Sequence, residues 1–386
     1  LSCLSLFTVP ICEDLGISRS AFSTFSTILS VMGMILSPIA GKLCATKNTR
    51  MIMTGTLIIG VIGYIGISFV QNVGLLYALA VIIGFGSSFC TTVPIAVILT
   101  RWFVKARGTA MSITFAGSSV GAMILSPIIS KIIADTSWRA AIRYLGIGML
   151  VVLVPLVFLI IRTKPEDKGL KALGADEAPA AGTGSAPAND VGLPLKELQK
   201  KPIFWIYVLA IFIMLLTMGA MYHMAAHVSM IVDAAAAAKF VSIFSLIAIG
   251  GKLLMGAVFD KSLTGGILLG TVSMALCFVF LLIAKNFTML LPVALFYGLG
   301  SAHATIFPPT LTGRFFGSKY YGEIFGFVNS FASLSMAVNG LVMAALFDAT
   351  GTYTLAWIFG LAAAILATVL LFVSLKGTRS LLIEQK

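Results

Sequence analysis

Charge is what this sequence has least of. Asp, Glu, Lys and Arg make up only 10% of its residues, against about 25% in a soluble globular chain, too few to cover a water-facing surface. Cysteine is sparse too. Cys3, Cys12, Cys44, Cys90 and Cys277 are scattered, with no CxxC or Cys/His spacing. That leaves no disulfide framework or zinc cluster to read, and the five are taken as packing residues. Carboxylates are few as well, 14 in 386 positions. A basic segment followed by a cleavage site is absent from the start, so "LSCLSLFTVP" is not read as a secretory leader.

What is present is apolar. Hydrophobic residues form 59% of the chain, in runs of roughly 20, the length that crosses a ~30 Å hydrocarbon core as a helix. Helices are expected because they satisfy their own backbone polar groups inside lipid. The fold class is therefore all-α and polytopic. Complete spans are placed near 20–44, 51–70, 75–100, 109–134, 142–161, 203–227, 239–260, 265–285, 287–313, 323–347 and 354–375. "LSCLSLFTVP" reads as the outer end of a truncated first helix, which makes twelve in the intact protein.

The net charge of +12 does not point to nucleic acid, because no basic face with interleaved aromatics exists. The basic residues mark topology instead. Nineteen of the 26 fall on one side of the spans: Lys42, Lys47, Arg50, Arg101, Lys105, Arg107, the seven from Arg162 to Lys201, Lys261, Arg314, Lys319, Lys376, Arg379 and Lys386. The other side carries Arg19, Lys131, Arg139, Arg143, Lys239 and Lys285. The richer side is cytoplasmic by the positive-inside rule, with both termini inside. Lys252 belongs to neither side.

Residues 162–201 are rich in Ala, Pro, Gly and Ser and read as a tether, in which "LPLKELQKKP" is expected to form a short helix on the membrane surface. The expected organisation is a helix bundle over 1–161, a cytoplasmic linker over 162–202, a second bundle over 203–376 and a cytoplasmic tail over 377–386. The halves echo each other. "RWFVKARG" (101–108) follows the fourth helix and "RFFGSKYYG" (314–322) the tenth, and "SPIAGKLCATKNTR" (37–50) matches "LLMGAVFDKSLTGG" (253–266) more weakly, Gly41 aligning with Gly256. A parallel repeat of this kind is a transporter design, with substrate held near the midplane between the halves.

Lys252 lies in "GGKLLMGAVFDK" (250–261), eight residues before Asp260, or about 12 Å at 1.5 Å per residue. That is near the middle of the core, where a lysine costs on the order of 2.5–3.5 kcal/mol and needs a partner or a wet cavity. None of the 14 carboxylates falls at this depth. The missing counter-ion is read as the substrate, a carboxylate or similar anion. The competing reading is a lysine that snorkels, faces water or deprotonates. The lack of buried carboxylates also argues against cation export and against a proton relay through Asp or Glu.

Other polar side chains reach similar depth. Thr91, Thr92, Ser118, Ser119, His303, Asn329 and, further out, Asn339 are weighed as substrate contacts against interhelical hydrogen bonding. The substrate-binding set is Lys252, His303, Thr92, Ser118 and Asn329. Tyr222 and His223 are candidate outer-gate residues. His223 and His227 are spaced i, i+4 but lack a third ligand, so no metal site is expected. "GSSVG" (117–121) fits GxSxG around Ser119, but a nucleophile elbow needs a strand–turn–helix. Within a membrane helix it reads as Gly117/Gly121 packing. No nucleophile–base pair and no cofactor motif is found, so the chain is not read as an enzyme.

On "RWFVKARGTAMSITFAGSSVGAMILSPI" (101–128), the six-plus-six arrangement and "GGKLLMGAVFDK", the chain resembles the major facilitator superfamily. Within it, the resemblance is to the oxalate:formate antiporter and monocarboxylate transporter branch. This implies a rocker-switch carrier whose helices 1, 4, 7 and 10 line the cavity and whose helix 8 cation, here Lys252, meets the substrate carboxylate. Three departures bear on function. Ala332 stands where the oxalate carrier has a second cation, Ala248 where animal monocarboxylate carriers have an acid before their helix 8 arginine, and Ala45 where the loop 2–3 signature has its acid, which Asp260 keeps in the second half. The expected protein is a multi-pass cell-membrane carrier of a small organic monocarboxylate, working as a monomer, with exchange, uniport and proton symport left open. A carrier of neutral or larger solutes and a transporter-like anion sensor are the alternatives.

Overall fold

The structure is a computed structural model that describes residues 4–175 and 192–383. A 3-10 turn, Leu4–Phe7, leads into α1 (Thr8–Leu15). There follow α2 (Arg19–Thr46), α3 (Thr49–Gly66), α4 (Val73–Ser88), α5 (Thr92–Trp102), α6 (Arg107–Asp135), α7 (Trp138–Gly148) and α8 (Val154–Ile160). After the short α9 (Leu195–Leu198) come α10 (Pro202–Leu216), α11 (Ala220–Ile231), α12 (Ala234–Lys261), α13 (Leu263–Ile283), α14 (Phe287–Gly300), α15 (Phe307–Phe316), α16 (Tyr321–Thr350) and α17 (Thr354–Ile383). Among the described residues, 11 stretches are long and apolar enough to cross a membrane.

Local chemistry sets many of the starts. Ser18, Asn48, Asn72, Ser137, Asp233, Ser262 and Asn286 each sit just ahead of an apolar run, and each accepts a backbone N–H from the first turn that follows. Such caps satisfy donors that a helix leaves open at its start. Large apolar side chains such as Val151, Leu246 and Leu341 stay exposed, the pattern of a protein whose outer solvent is lipid. Inside, one core draws on residues from Leu195 to Leu375 and another on residues from Phe7 to Ile142. A third, smaller cluster joins Val93, Val97, Met111 and Phe115 to Tyr321 and Phe325 of the other half.

The tether differs from expectation where it is described. Leu173 exchanges backbone hydrogen bonds with Trp102, Val104 and Lys105, and Thr163 Oγ1 accepts from Thr49 N, so its first part is tied to the cytoplasmic loops. The expected surface helix is the single turn α9, and Leu195 and Leu198 are buried in the C-terminal core rather than lying on the membrane. Residues 176–191 of the tether lie outside the described residues.

Three predicted spans, 75–100, 203–227 and 287–313, are not continuous. The stretch 75–100 breaks between α4 and α5, and 287–313 breaks at a 3-10 turn, Ser301–Ala304, followed by Thr305 and Ile306. A third break, Thr217–Gly219, separates α10 from α11. The breaks follow the internal repeat. Adding the 213-residue offset between Arg101 and Arg314 carries the first 3-10 turn onto the one at Thr217–Gly219, and the α4–α5 break onto the one at Ser301–Ala304.

Glycines set how closely the halves approach on the side that carries the tether. A Cβ added at Gly41 would lie 2.0 Å from the Gly322 carbonyl oxygen, and one at Gly108 would lie 2.5 Å from that of Gly256. The α2–α16 and α6–α12 contacts are thus backbone against backbone. By contrast, a Cβ at Gly117 or Gly121 would meet nothing within 4 Å, so the predicted GxxxG packing is found elsewhere. Overpacking costs typically about 1–3 kcal/mol. Gly41→Val is therefore expected to hold this side apart, raising the alkylation rate of a cysteine introduced at the buried Val97 by about tenfold. An unchanged rate contradicts the close approach.

Candidate functional site

Lys252 lies on α12, nine residues before its last residue, and is buried at 9% exposure. Its ammonium donates to Ser119 Oγ at 2.9 Å, across the seam onto α6. Among the described residues no carboxylate lies within ion-pair distance of it. The other seam carries a matching bond. Asn329 Nδ2 on α16 donates to Ser37 Oγ on α2 at 2.8 Å, and Ser37, too, stands nine residues before the end of its helix. By the repeat offset of 215 residues between Gly41 and Gly256, Ser37 and Lys252 occupy equivalent positions. Each seam thus holds a polar contact between the halves at the same depth.

Beside the α2–α16 seam is a cavity of ≈ 250 Å³ lined by Ser37, Ser88, Thr92, Asn329, Ala332 and Ser333, among others. Thr91 and Thr92, Leu215 and Ala304, which also face it, lie at or beside the three helix breaks. Irregular backbone is tolerated at membrane depth where it is buried in protein or lines such a space. Thr92 begins α5, whose N-cap, Thr91, makes no side-chain capping bond, so the positive end of that half-helix stands at the cavity wall. Among the described residues, no charged side chain lines the cavity.

The sequence-predicted residues separate. Thr92 and Asn329 share the cavity, while Lys252 lies at the other seam. His303 is turned away from it: it is 1% exposed, packs edge-on against Phe307 at 4.6 Å and lies against Gly270 of α13. Neither ring nitrogen has a hydrogen-bond partner among the described residues. The break in this helix turns Ala304 rather than His303 to the cavity. Ser118 bonds back to the Phe115 carbonyl and lines a different cavity, inside the N-terminal half. His223 sits at the outer end between Tyr353 OH (3.4 Å) and the Gly340 carbonyl (3.2 Å). The Tyr222 side chain lies outside the described residues. Among the described residues there is no cluster of metal-ligating side chains.

Two features escaped the sequence. Ser119 is weighed in the sequence beside Ser118 but left out of the substrate-binding set, and the helix phase that separates the two is visible only once α6 is placed. Ser37 could have been found by carrying Lys252 back through the repeat.

The tether-side ends of the two seams are locked unequally. α6 starts from Ala106, in the left-handed region at φ 57°, with no side-chain cap of its own. Its first N–H groups are taken instead by Asp260 of the other half, from Gly108 N at 2.7 Å and Thr109 N at 2.8 Å. Arg314 stands 3.9 Å from the same carboxylate. At the equivalent place in the first half, Arg101 meets the backbone carbonyl of Ala45, because Ala45 has no acid to offer. The glycine contacts and inter-half hydrogen bonds described here run from mid-depth to the side that carries the 162–201 tether, so the structure is closed on that side.

A profile of the Major Facilitator Superfamily matches residues 2–282. Monocarboxylate transporter 12 of Mus musculus is 24% identical over 397 residues, covering 96% of this chain and 80% of its own. The oxalate:formate antiporter of Oxalobacter formigenes is 25% identical over 210 residues, covering 54% of this chain and 46% of its own. The fold is similar to that of the E. coli fucose:proton symporter, with TM-score 0.67 at 16% identity over 97% of this chain and 95% of that one. The human organic anion transporter MFSD10 has TM-score 0.68 at 16% identity, over 93% and 87%. With the profile spanning most of its length, this multi-pass chain belongs to the major facilitator superfamily.

Proposed function

We propose that the chain carries a small organic anion, a monocarboxylate, across the membrane by alternating access, residues 1–161 and 203–376 rocking as two bundles about the mid-depth site. The observation that carries this is Lys252, a cation buried at the seam between the halves with a hydroxyl as its partner. A carboxylate would supply the missing charge and offset the cost of burying the ammonium. The open end of α5 favours an anion as well. With Ala332 at the wall of the other seam's cavity, Lys252 is the one cation proposed for the substrate, which fits one carboxylate better than two. The names of the relatives, monocarboxylate transporter 12 and oxalate:formate antiporter, point to the same substrate class. Thr92 and Asn329 are the further contacts proposed. Because the loaded site is neutral and the empty one charged, movement between states is favoured when loaded, which suits exchange.

The test is thermal unfolding of the purified protein with short monocarboxylates beside their neutral amides. A ligand at 100 times its Kd stabilises by about 2.7 kcal/mol. The acids are expected to raise the Tm and the amides to leave it unchanged. Equal effects of acid and amide contradict the proposal. They would favour the second reading, a neutral hydroxylated solute, which the uncharged hydroxyl and amide lining of the cavity supports.

A further inference from the structure

We infer that Ser119 is a positioning residue that presents the Lys252 ammonium to the substrate, an inference that rests on Lys252 being the anion's partner. The hydroxyls around it on α6 are spent on their own helix: Ser112 on the Thr109 carbonyl, Thr114 on that of Ala110, Ser118 on that of Phe115 and Ser126 on that of Ala122. The Ser119 hydroxyl instead meets Lys252, 133 positions away in the chain and in the other half.

The chemistry of this pair suits a site awaiting an anion. A lysine ammonium has three donors on a flexible four-carbon stem and no fixed direction of its own. Ser119 takes one donor and fixes the head at the seam, leaving two for a carboxylate. A carboxylate in place of Ser119 would neutralise the lysine and close the site to an anion, whereas a hydroxyl orients the charge without cancelling it. The serine also keeps its own O–H to give. A carboxylate held by two ammonium donors and that hydroxyl is bonded to α12 and α6 together. Those two helices approach again at Asp260 and Gly108, on the cytoplasmic side of the same seam. Substrate binding is thereby read by both halves at once.

The experiment measures half-saturation and maximal rate of monocarboxylate uptake into proteoliposomes, and binding in detergent, for the wild type, Ser119→Ala, Ser119→Thr, Lys252→Gln and the Ser119→Ala/Lys252→Gln double variant. Ser119→Ala is expected to raise half-saturation about tenfold with a smaller change in maximal rate, and Ser119→Thr, which keeps the hydroxyl, to restore it. A purely structural serine would lower thermal stability and leave half-saturation in place. In the Lys252→Gln background, measured at substrate concentrations raised to match its weaker binding, Ser119→Ala is expected to add nothing, since the two act as one unit. Wild-type half-saturation in Ser119→Ala, or a full additive loss in the double variant, overturns the inference while Lys252 keeps its role. Wild-type binding by Lys252→Gln overturns the role of Lys252, and the inference with it.

Discussion

Lys252→Gln is expected to abolish monocarboxylate binding and transport at ordinary substrate concentrations while leaving the protein folded. Losing one partner of a buried, hydrogen-bonded charge pair costs about 2–5 kcal/mol, so affinity falls by roughly 30-fold or more. Folding has no matching reason to suffer. The native lysine carries a desolvation cost that no carboxylate offsets in the described structure, and glutamine can still donate to Ser119. Lys252→Arg keeps the charge but changes a point-like ammonium into a wider planar fork, so it is expected to retain part of the binding. The check is ligand binding beside thermal unfolding for all three proteins. Full binding by Lys252→Gln contradicts the assignment, and loss of binding together with loss of folding is resolved by the arginine variant.

Asp260→Ala is expected to shift the carrier toward the state open to the cytoplasm. In the closed state this carboxylate caps a helix of the opposite half, so the cap exists only while that side stays shut. An N-cap is worth about 0.5–2 kcal/mol, and a negative charge at a helix N-terminus adds to it. A change of about 1–2 kcal/mol moves the closed-to-open ratio by roughly 5- to 30-fold. Spin labels at Lys47→Cys and Lys319→Cys, exposed positions on the two halves, are expected to show a longer inter-label distance gaining population in the variant. Asp260→Asn, with one carbonyl oxygen to accept, is expected to fall between. The first half offers no such lever, because Ala45 carries no acid. An unchanged distance distribution in Asp260→Ala contradicts the cross-half cap.

The membrane spans were legible because apolar runs of the right length stand between capping residues such as Asn72 and Ser262, and both signals are local. The breaks were not. Residues 75–100 and 287–313 carry only small or uncharged polar residues, a phenylalanine and one histidine at the breaks, "GSSFCTT" and "GSAHAT", residue types common inside membrane helices, so hydropathy does not register where a helix unwinds. The repeat was readable at Arg101 and Arg314, and it extends to those breaks. Which glycines matter was hidden as well, since Gly117 and Gly121 match a packing pattern whereas the close approach falls at Gly41 and Gly108. Lys252 stood out from one sequence because a charge in a span has few explanations. Its partner did not, because Ser118 and Ser119 are adjacent in the chain yet about 100° apart around a helix with 3.6 residues per turn. His303 had suitable depth and chemistry, and only the 3-10 turn at Ser301–Ala304 decides that it faces the C-terminal core.

The central claim is that this carrier moves a small carboxylate. Its most direct test is accumulation of labelled lactate, pyruvate, formate and oxalate by wild-type proteoliposomes preloaded with the same unlabelled compound, beside neutral sugars and polyols. The account predicts that one or more monocarboxylates accumulate, that oxalate does so less, and that neutral solutes stay at the level of empty liposomes. Accumulation of a neutral solute with none of the anions would contradict it.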